Sequence, residues 1–196
     1  MPAGPHERDG FVMTFWTYAP PDPDRPATAD DCAAMLPHLH AALADYAGPV
    51  SDLWGDVIDL PSLLAAVDKA DHRLSPDDLA VLRRAAERAE LPTGPTTVLH
   101  GDAHAGNILR SGGELLWIDL EDVSVGPPEW DMATMHDEAA VLARLAPDPE
   151  RLAACMLLRD LQVALCLTGL DDVFGDTDNW AEALRWFVDG IRRRVP

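Results

Sequence analysis

Lysine is almost absent from this chain. Lys69 is the only one among 15 basic residues, and the other fourteen are arginines. Aspartate and glutamate number 34, so the formal net charge is −19 and the isoelectric point about 4.4. Such a surface repels the phosphates of nucleic acid and of anionic membranes, which excludes both as expected partners. It draws cations, amine-bearing small molecules among them; plain solubility is the alternative reading of the same charge. The Lys-poor, Ala- and Arg-rich usage suggests a GC-rich bacterial genome, by association alone.

Cysteine is scarce too. Cys32, Cys155 and Cys166 show no metal-ligand spacing. An odd count with no apolar leader in Met1-Pro2-Ala3-Gly4-Pro5-His6 points to free buried thiols in a reducing cytosol. No apolar run is long enough to cross a bilayer, since the stretch from Cys155 to Leu170 is broken by Arg159-Asp160. No internal repeat is visible. With 47% hydrophobic residues over 196 positions, the chain suits one domain with a real core.

What is present concentrates in one stretch. Val98-Leu99 comes after the breaker run Leu91-Pro92-Thr93-Gly94-Pro95 and reads as a strand end. Ile108-Leu109 and Leu115-Leu116-Trp117-Ile118 flank Ser111-Gly112-Gly113, the pattern of a β-hairpin. Between strand and hairpin lies His100-Gly101-Asp102-Ala103-His104-Ala105-Gly106-Asn107, and Asp119 comes after the hairpin. Phosphoryl transfer needs a carboxylate beside the attacking hydroxyl and oxygen ligands for Mg²⁺ on the phosphates. Asp102, Asn107 and Asp119 offer those groups. Asn107 lies five positions after Asp102, the gap of the protein-kinase catalytic loop, and Asp119 lies twelve further on.

The strings HGDAHAGNIL and WIDLEDVSVGPPEWDMA resemble the aminoglycoside phosphotransferase and choline kinase-like family, over about residues 98–134. The resemblance implies a protein-kinase-like fold. It makes Asp102 the catalytic base, Asn107 and Asp119 the Mg²⁺ ligands, and His100, His104 and Asp131 supports of the loop. Asp131 would accept hydrogen bonds from loop backbone. Leu120 stands where an aromatic residue is commoner in that family. ATP or GTP would be the donor, and a small molecule bearing a hydroxyl the acceptor. A rival reading uses the alternation of His100, Asp102 and His104, which on an extended chain face one metal as in zinc hydrolases. It needs further ligands, of which His136, Cys155 and Cys166 are the supply, and it leaves Asn107 and Asp119 unexplained.

The expected fold class is α+β and mostly helical. Residues 1–10 read as loose. Residues 11–18, aromatic and β-branched, read as a strand. The proline-rich stretch from Ala19 to Pro26 reads as a linker. Helices are expected from Thr28, with Leu36, Leu39, Leu43 and Tyr46 on one stripe and a kink or restart at Pro37. Others are expected over 60–72, after the cap Ser75, from Glu129 to about Leu145, from Pro149 to Thr168, and from Asn179 to Arg194. The run Arg192-Arg193-Arg194 complements the dipole of the last helix.

By the resemblance, residues 27–196 correspond to the C-terminal lobe of the fold. Residues 1–26 correspond to one remaining N-lobe strand with its hinge linker, where Phe15, Trp16, Thr17 and Tyr18 would border the adenine. The ten residues before Phe11 hold no Gly-rich loop and no phosphate-binding lysine. The expectation is therefore a catalytic half whose N-lobe is missing. Either the sequence is truncated, or a partner or second copy supplies the rest through the strand at 11–18, or the lobe serves as a binding module. Two acidic-aromatic clusters are candidate acceptor contacts: Asp52, Trp54, Asp56 and Asp59, and Asp171, Asp172, Asp176, Asp178 and Trp180. Solvated Asp-rich loops are the plain alternative for both.

Overall fold

The computed structural model describes residues 5–70, 74–135, 138–174 and 178–195. The chain opens with a hairpin of β1 (His6–Arg8) and β2 (Phe11–Met13), antiparallel, with Arg8 opposite Phe11. Asp9 and Gly10 form the turn with φ of 52° and 83°. Two positive φ values give the tight turn whose twist matches the strands, and the Asp-Gly pair is its sequence signal. Residues 6–8 are thus ordered rather than loose. The strand expected over 11–18 ends at Met13, beyond which no strand among the described residues pairs with it. Phe15 to Tyr18 are irregular and exposed.

The linker is pinned to the second half of the chain at Arg110. The Asp22 amide donates to the Arg110 carbonyl at 2.9 Å, and Arg110 Nε donates to the Arg25 carbonyl at 3.0 Å. α1 (Ala29–Leu43) starts at a capping box. Thr28 Oγ1 accepts from the Asp31 amide at 3.2 Å, and Asp31 accepts from the Thr28 amide at 2.9 Å. The helix runs through Pro37 without restarting. Its buried face is Cys32, Ala33 and Leu36, while Tyr46 lies beyond the helix and is exposed.

α2 (Leu60–Lys69) is capped by Asp59, and α3 (Pro76–Arg88) by Ser75, each with Pro in its first turn. A mixed sheet holds β7 (Ser124–Gly126) between β3 (Ser51–Asp52), parallel to it, and β4 (Thr97–Leu99), antiparallel. The second hairpin pairs β5 (Ile108–Ser111) with β6 (Glu114–Trp117) in the register Ile108 to Trp117.

The helix expected from Glu129 to Leu145 is broken. α4 (Glu129–Met132) passes into a single 3-10 turn, and α5 (Ala139–Leu145) comes after it. At that turn the Thr134 hydroxyl donates to the Ala103 carbonyl, tying it to the loop, with the Asp131 carbonyl 3.0 Å away.

α6 (Pro149–Phe174) outlasts its expected end, and α7 (Asp178–Arg194) packs along it. Arg194 pairs with buried Asp160 of α6, and Arg192 with Asp78 of α3 at 2.6 Å, so the terminal arginines tie helices together as well as facing a helix end. The main core joins Val67, Leu82, Trp130, Leu158, Leu161 and Ile191. A smaller core joins Cys32 and Leu36 to Ala103, Ile108 and Leu142. The loop from His100 to Asn107 runs between the two.

Candidate active site

β4 ends at Leu99, fully buried, and delivers His100 to the base of the loop. The His100 ring is also fully buried. Its Nε2–H donates to the Ile118 carbonyl at 3.0 Å, and its Nδ1 accepts from the Asp102 amide at 3.3 Å. One imidazole thereby fixes both ends of the site, the loop before Asp102 and the chain just before Asp119. Gly101 has φ of 89°, and a Cβ there would stand 2.0 Å from the Asp122 carbonyl oxygen. Only glycine fits that approach.

Asp131, fully buried on α4, accepts from the His100 amide (2.9 Å) and the Gly101 amide (2.9 Å). His40 of α1 adds a third donor, Nε2 to Oδ2 at 2.8 Å. Trp130 Nε1 donates to the Gly101 carbonyl at 2.9 Å. His104 Nδ1 accepts from the Gly106 amide at 3.0 Å, which shapes the turn before Asn107.

Asp102 stands half-buried at the loop's outer end. Asn107 Nδ2 donates to its backbone carbonyl at 2.9 Å and to its Oδ2 at 3.1 Å. His104 Nε2 lies 3.4 Å from the same Oδ2. Arg159 of α6 pairs with Oδ1, donates to the Gly101 carbonyl at 2.7 Å, and lies 5.3 Å over the Trp130 ring. The His104 hydrogen bond draws the Asp102 carboxyl down to about 2; burial opposes this and the Arg159 charge adds to it. Asp102 is therefore an ionised acceptor throughout the neutral range.

Asn107 and Asp119 are brought together by the second hairpin. The Ile118 amide donates to the Asn107 carbonyl at 3.0 Å, extending the ladder by one step. Asp119 takes a left-handed conformation, φ 62° and ψ 57°, and its carboxylate is exposed. Binding Asp102 through its nitrogen turns the Asn107 amide oxygen the other way. One amide oxygen and one open carboxylate are hard donors of the kind Mg²⁺ takes, with phosphate and water completing its shell. The residues fit that ion.

The zinc reading fails on the same geometry. Both His100 nitrogens face the loop's own backbone, and Cys155 is buried in the core. His136 lies outside the described residues. Among the described residues, no group of three or more His, Cys, Asp or Glu side chains is placed to hold a metal.

The acidic cluster from Asp52 to Asp59 is largely spent on its own turns. Asp52 Oδ1 accepts from the Trp54 amide, Asp56 Oδ2 from the Asp52 amide, and Asp59 caps α2. This favours the loop-forming reading. A cavity of about 440 Å³ nevertheless opens beside it, lined by Asp56, Asp59, Ser62 and Leu63 on one wall and by Gln162 and Cys166 of α6 on the other. Cys166 on that wall is exposed, whereas Cys32 and Cys155 are buried, so the expectation of three buried thiols holds for two of them. The carboxylates of the second acidic cluster lie outside the described side chains. Among the described residues, Phe15, Trp16, Thr17 and Tyr18 make no hydrogen bond to the loop, and Trp16 Nε1 bonds Thr14 Oγ1 at 3.1 Å.

Two of these residues carry no signal read from the sequence. Arg159 reads there only as a break in an apolar run. The cue was that break itself, since a charge inside a helix apolar all round requires a buried partner. His40, 91 positions before Asp131, gives no cue at all.

The loop, hairpin and support place the chain among known proteins. A family model described as "Phosphotransferase enzyme family" matches residues 5–154. The chain belongs to that family. Solved structures of similar fold include choline kinase LicA from Streptococcus pneumoniae, at 14% identity and TM-score 0.63, over 86% of this chain and 67% of that one. The AMP-bound spectinomycin phosphotransferase APH(9)-Ia is similar at 12% identity and TM-score 0.64, over 90% and 70%. The aminoglycoside phosphotransferase APH(4)-Ia, solved with AMP-PNP and hygromycin B, is similar at 16% and 0.56, over 87% and 68%. No curated protein matches. This phosphotransferase-family chain is thus helix-rich α+β with small sheets, like those kinases, and spans about two thirds of their length. Among its described residues, no helix is long and apolar enough to cross a membrane.

Proposed function

We propose that this chain carries the catalytic lobe of a small-molecule kinase. It would transfer the γ-phosphoryl group of ATP, or of GTP, to a hydroxyl of a small molecule, an amine-bearing one in keeping with the net charge of −19. The observation that carries the reading is the Asp102 carboxylate, held ionised and bonded by Asn107, with the exposed Asp119 at the far end of the hairpin that Asn107 opens. The acceptor hydroxyl meets Asp102, which takes its proton as the hydroxyl oxygen bonds to the γ-phosphorus and the bond to the departing nucleoside diphosphate breaks. Asn107 and Asp119 would hold Mg²⁺, which when bound neutralises phosphate charge. The cavity beside α6 is our seat for the body of the acceptor. We place the reaction in the cytoplasm, where the three free thiols stay reduced.

The phosphate grip is the part this sequence does not show. We infer that it comes from another segment or chain, a second copy included, docking along β2 and the exposed Phe15 and Trp16. A binding module using the same cleft is the competing reading, favoured by that exposed edge. Calorimetric titration of Mg-ATP, with and without choline, spectinomycin and hygromycin B, tests the proposal, together with phosphate-transfer assays on the same acceptors. The kinase reading expects nucleotide binding that disappears in Asp119→Ala, and transfer that disappears in Asp102→Asn. Acceptor binding that persists with no nucleotide binding at any Mg²⁺ concentration would leave the binding module.

A further inference from the structure

Three groups of the protein reach the Asp102 carboxylate, one at Oδ1 and two at Oδ2. Asn107 Nδ2 holds one side of Oδ2 at 3.1 Å. Arg159 holds Oδ1, and its second nitrogen is committed to the Gly101 carbonyl at 2.7 Å. The guanidinium is also clamped from one face by the Trp130 ring, which bonds the same Gly101 carbonyl. Its side chain is only 13% exposed. Arg159 is therefore fixed independently of Asp102, by a backbone oxygen and an aromatic face. His104 differs. It approaches Oδ2 at a loose 3.4 Å, and its side chain is 44% exposed.

We propose that Arg159 is a positioning residue for the base: it holds Oδ1 of Asp102 and so fixes the carboxylate, and the acceptor hydroxyl arrives at Oδ2 in place of the loosely held His104. The inference rests on the kinase reading for its meaning, but its geometry does not. α6 also explains how the acceptor finds that oxygen. Arg159, Gln162 and Cys166 are three and four positions apart, so they share one face of the helix, and the latter two line the cavity. A molecule seated there lies along the helix face that ends at the base. Arg159 comes from 57 positions beyond Asp102, so the aim of the base depends on the docking of α6.

The test uses Arg159→Met and Arg159→Lys in the full chain. The Asn107 side-chain amide is the reporter, because it donates to Oδ2 and its ¹H–¹⁵N signals move when the carboxylate turns. Arg159→Met should shift and broaden that pair, and Arg159→Lys should restore much of the wild-type position. A Met variant that melts earlier while the Asn107 pair stays put makes Arg159 mere helix glue and overturns the proposal. If the Met variant fails to fold, Arg159→Gln replaces it: glutamine is polar but brings no charge to Oδ1, so an Asn107 pair identical to wild type in position and width also overturns the proposal. Where wild type transfers phosphate, kcat should fall on the order of a hundredfold in Arg159→Met, the scale of a misplaced reacting group, with KM for ATP unchanged. A rise in acceptor KM at constant kcat would instead make Arg159 a ligand contact and overturn its positioning role. Absence of transfer in wild type fails the kinase reading and leaves the Asn107 measurement standing.

Discussion

Residues 98–134 and residues 5–26 belong to one family match, yet they are built on opposite terms. In the first stretch nearly every polar group that shapes the loop has a partner within the fold. Asp131 alone ties His100, Gly101 and His40. In the second, a hairpin of three-residue strands is followed by the irregular Phe15 and Trp16, 63% and 80% exposed, and the linker is hydrogen-bonded to Arg110. The difference teaches where preorganisation resides. Catalysis needs donors and acceptors fixed before substrate arrives, and the loop supplies them from its own neighbours. The N-terminal stretch instead keeps its aromatic surface exposed.

The sharpest way to break this contrast is Asp131→Ala. The substitution leaves two buried amides, those of His100 and Gly101, without acceptors, and strips His40 of its partner. Each buried amide left unsatisfied costs about 1–3 kcal/mol, so the loss should reach about 3 kcal/mol or more. Urea denaturation monitored by tryptophan fluorescence measures it, since Trp130 sits one residue away in the main core. A loss under about 1 kcal/mol would mean that the loop is held by its flanking strands alone.

Much of this was readable in advance, because the loop's logic is local in sequence. Asp102 with Asn107, and His104 with Gly106, interact within five positions. The helix starts at Thr28, Ser75 and Pro149 come from caps and prolines. The contacts that sequence did not yield join distant segments: Arg159 to Asp102, His40 to Asp131, and β3 to β7. Strands of two or three residues are too short for alternation to show, and their pairing depends on tertiary packing. The first hairpin is a different case. Its Asp-Gly turn stood in the sequence, but the length of the aromatic run beside it suggested a longer strand.

A second comparison sets Glu129 beside Asp131 on the same short helix. Glu129 is buried too, but its main partner is the far end of another side chain: Arg151 donates at 2.8 Å and 3.1 Å, and the Asp148 amide at 3.1 Å. Burial pushes the Glu129 carboxyl up, yet the bonds from Arg151 and the backbone outweigh it and hold the carboxyl below its ordinary 4.5. Folding thus favours the ionised form. Its stabilisation is complete above pH 4.5 and is lost as pH falls through the lower native value. Glu129→Gln should cost on the order of 1 kcal/mol at neutral pH, and the difference from wild type should shrink on acidification. Melting curves from about pH 7 to about pH 3 check the sign; a gap that widens toward low pH would contradict it.

The smallest effect on stability is expected at the other pole. Phe15→Ser with Trp16→Ser removes exposed apolar surface whose one side-chain hydrogen bond among the described residues runs from Trp16 Nε1 to Thr14. Phe15 also loses an edge contact with the His6 ring, 5.6 Å between centroids. Surface substitutions of this kind change stability by less than about 0.5 kcal/mol. If the stretch is a docking edge, the same pair should abolish self-association seen by light scattering at micromolar concentration, while the denaturation midpoint at high dilution stays fixed. A wild-type chain that is monomeric at every concentration would exclude a second copy as the partner. A denaturation midpoint that drops in the double variant would show that the aromatics are held by their own chain, and the contrast between the two regions would disappear.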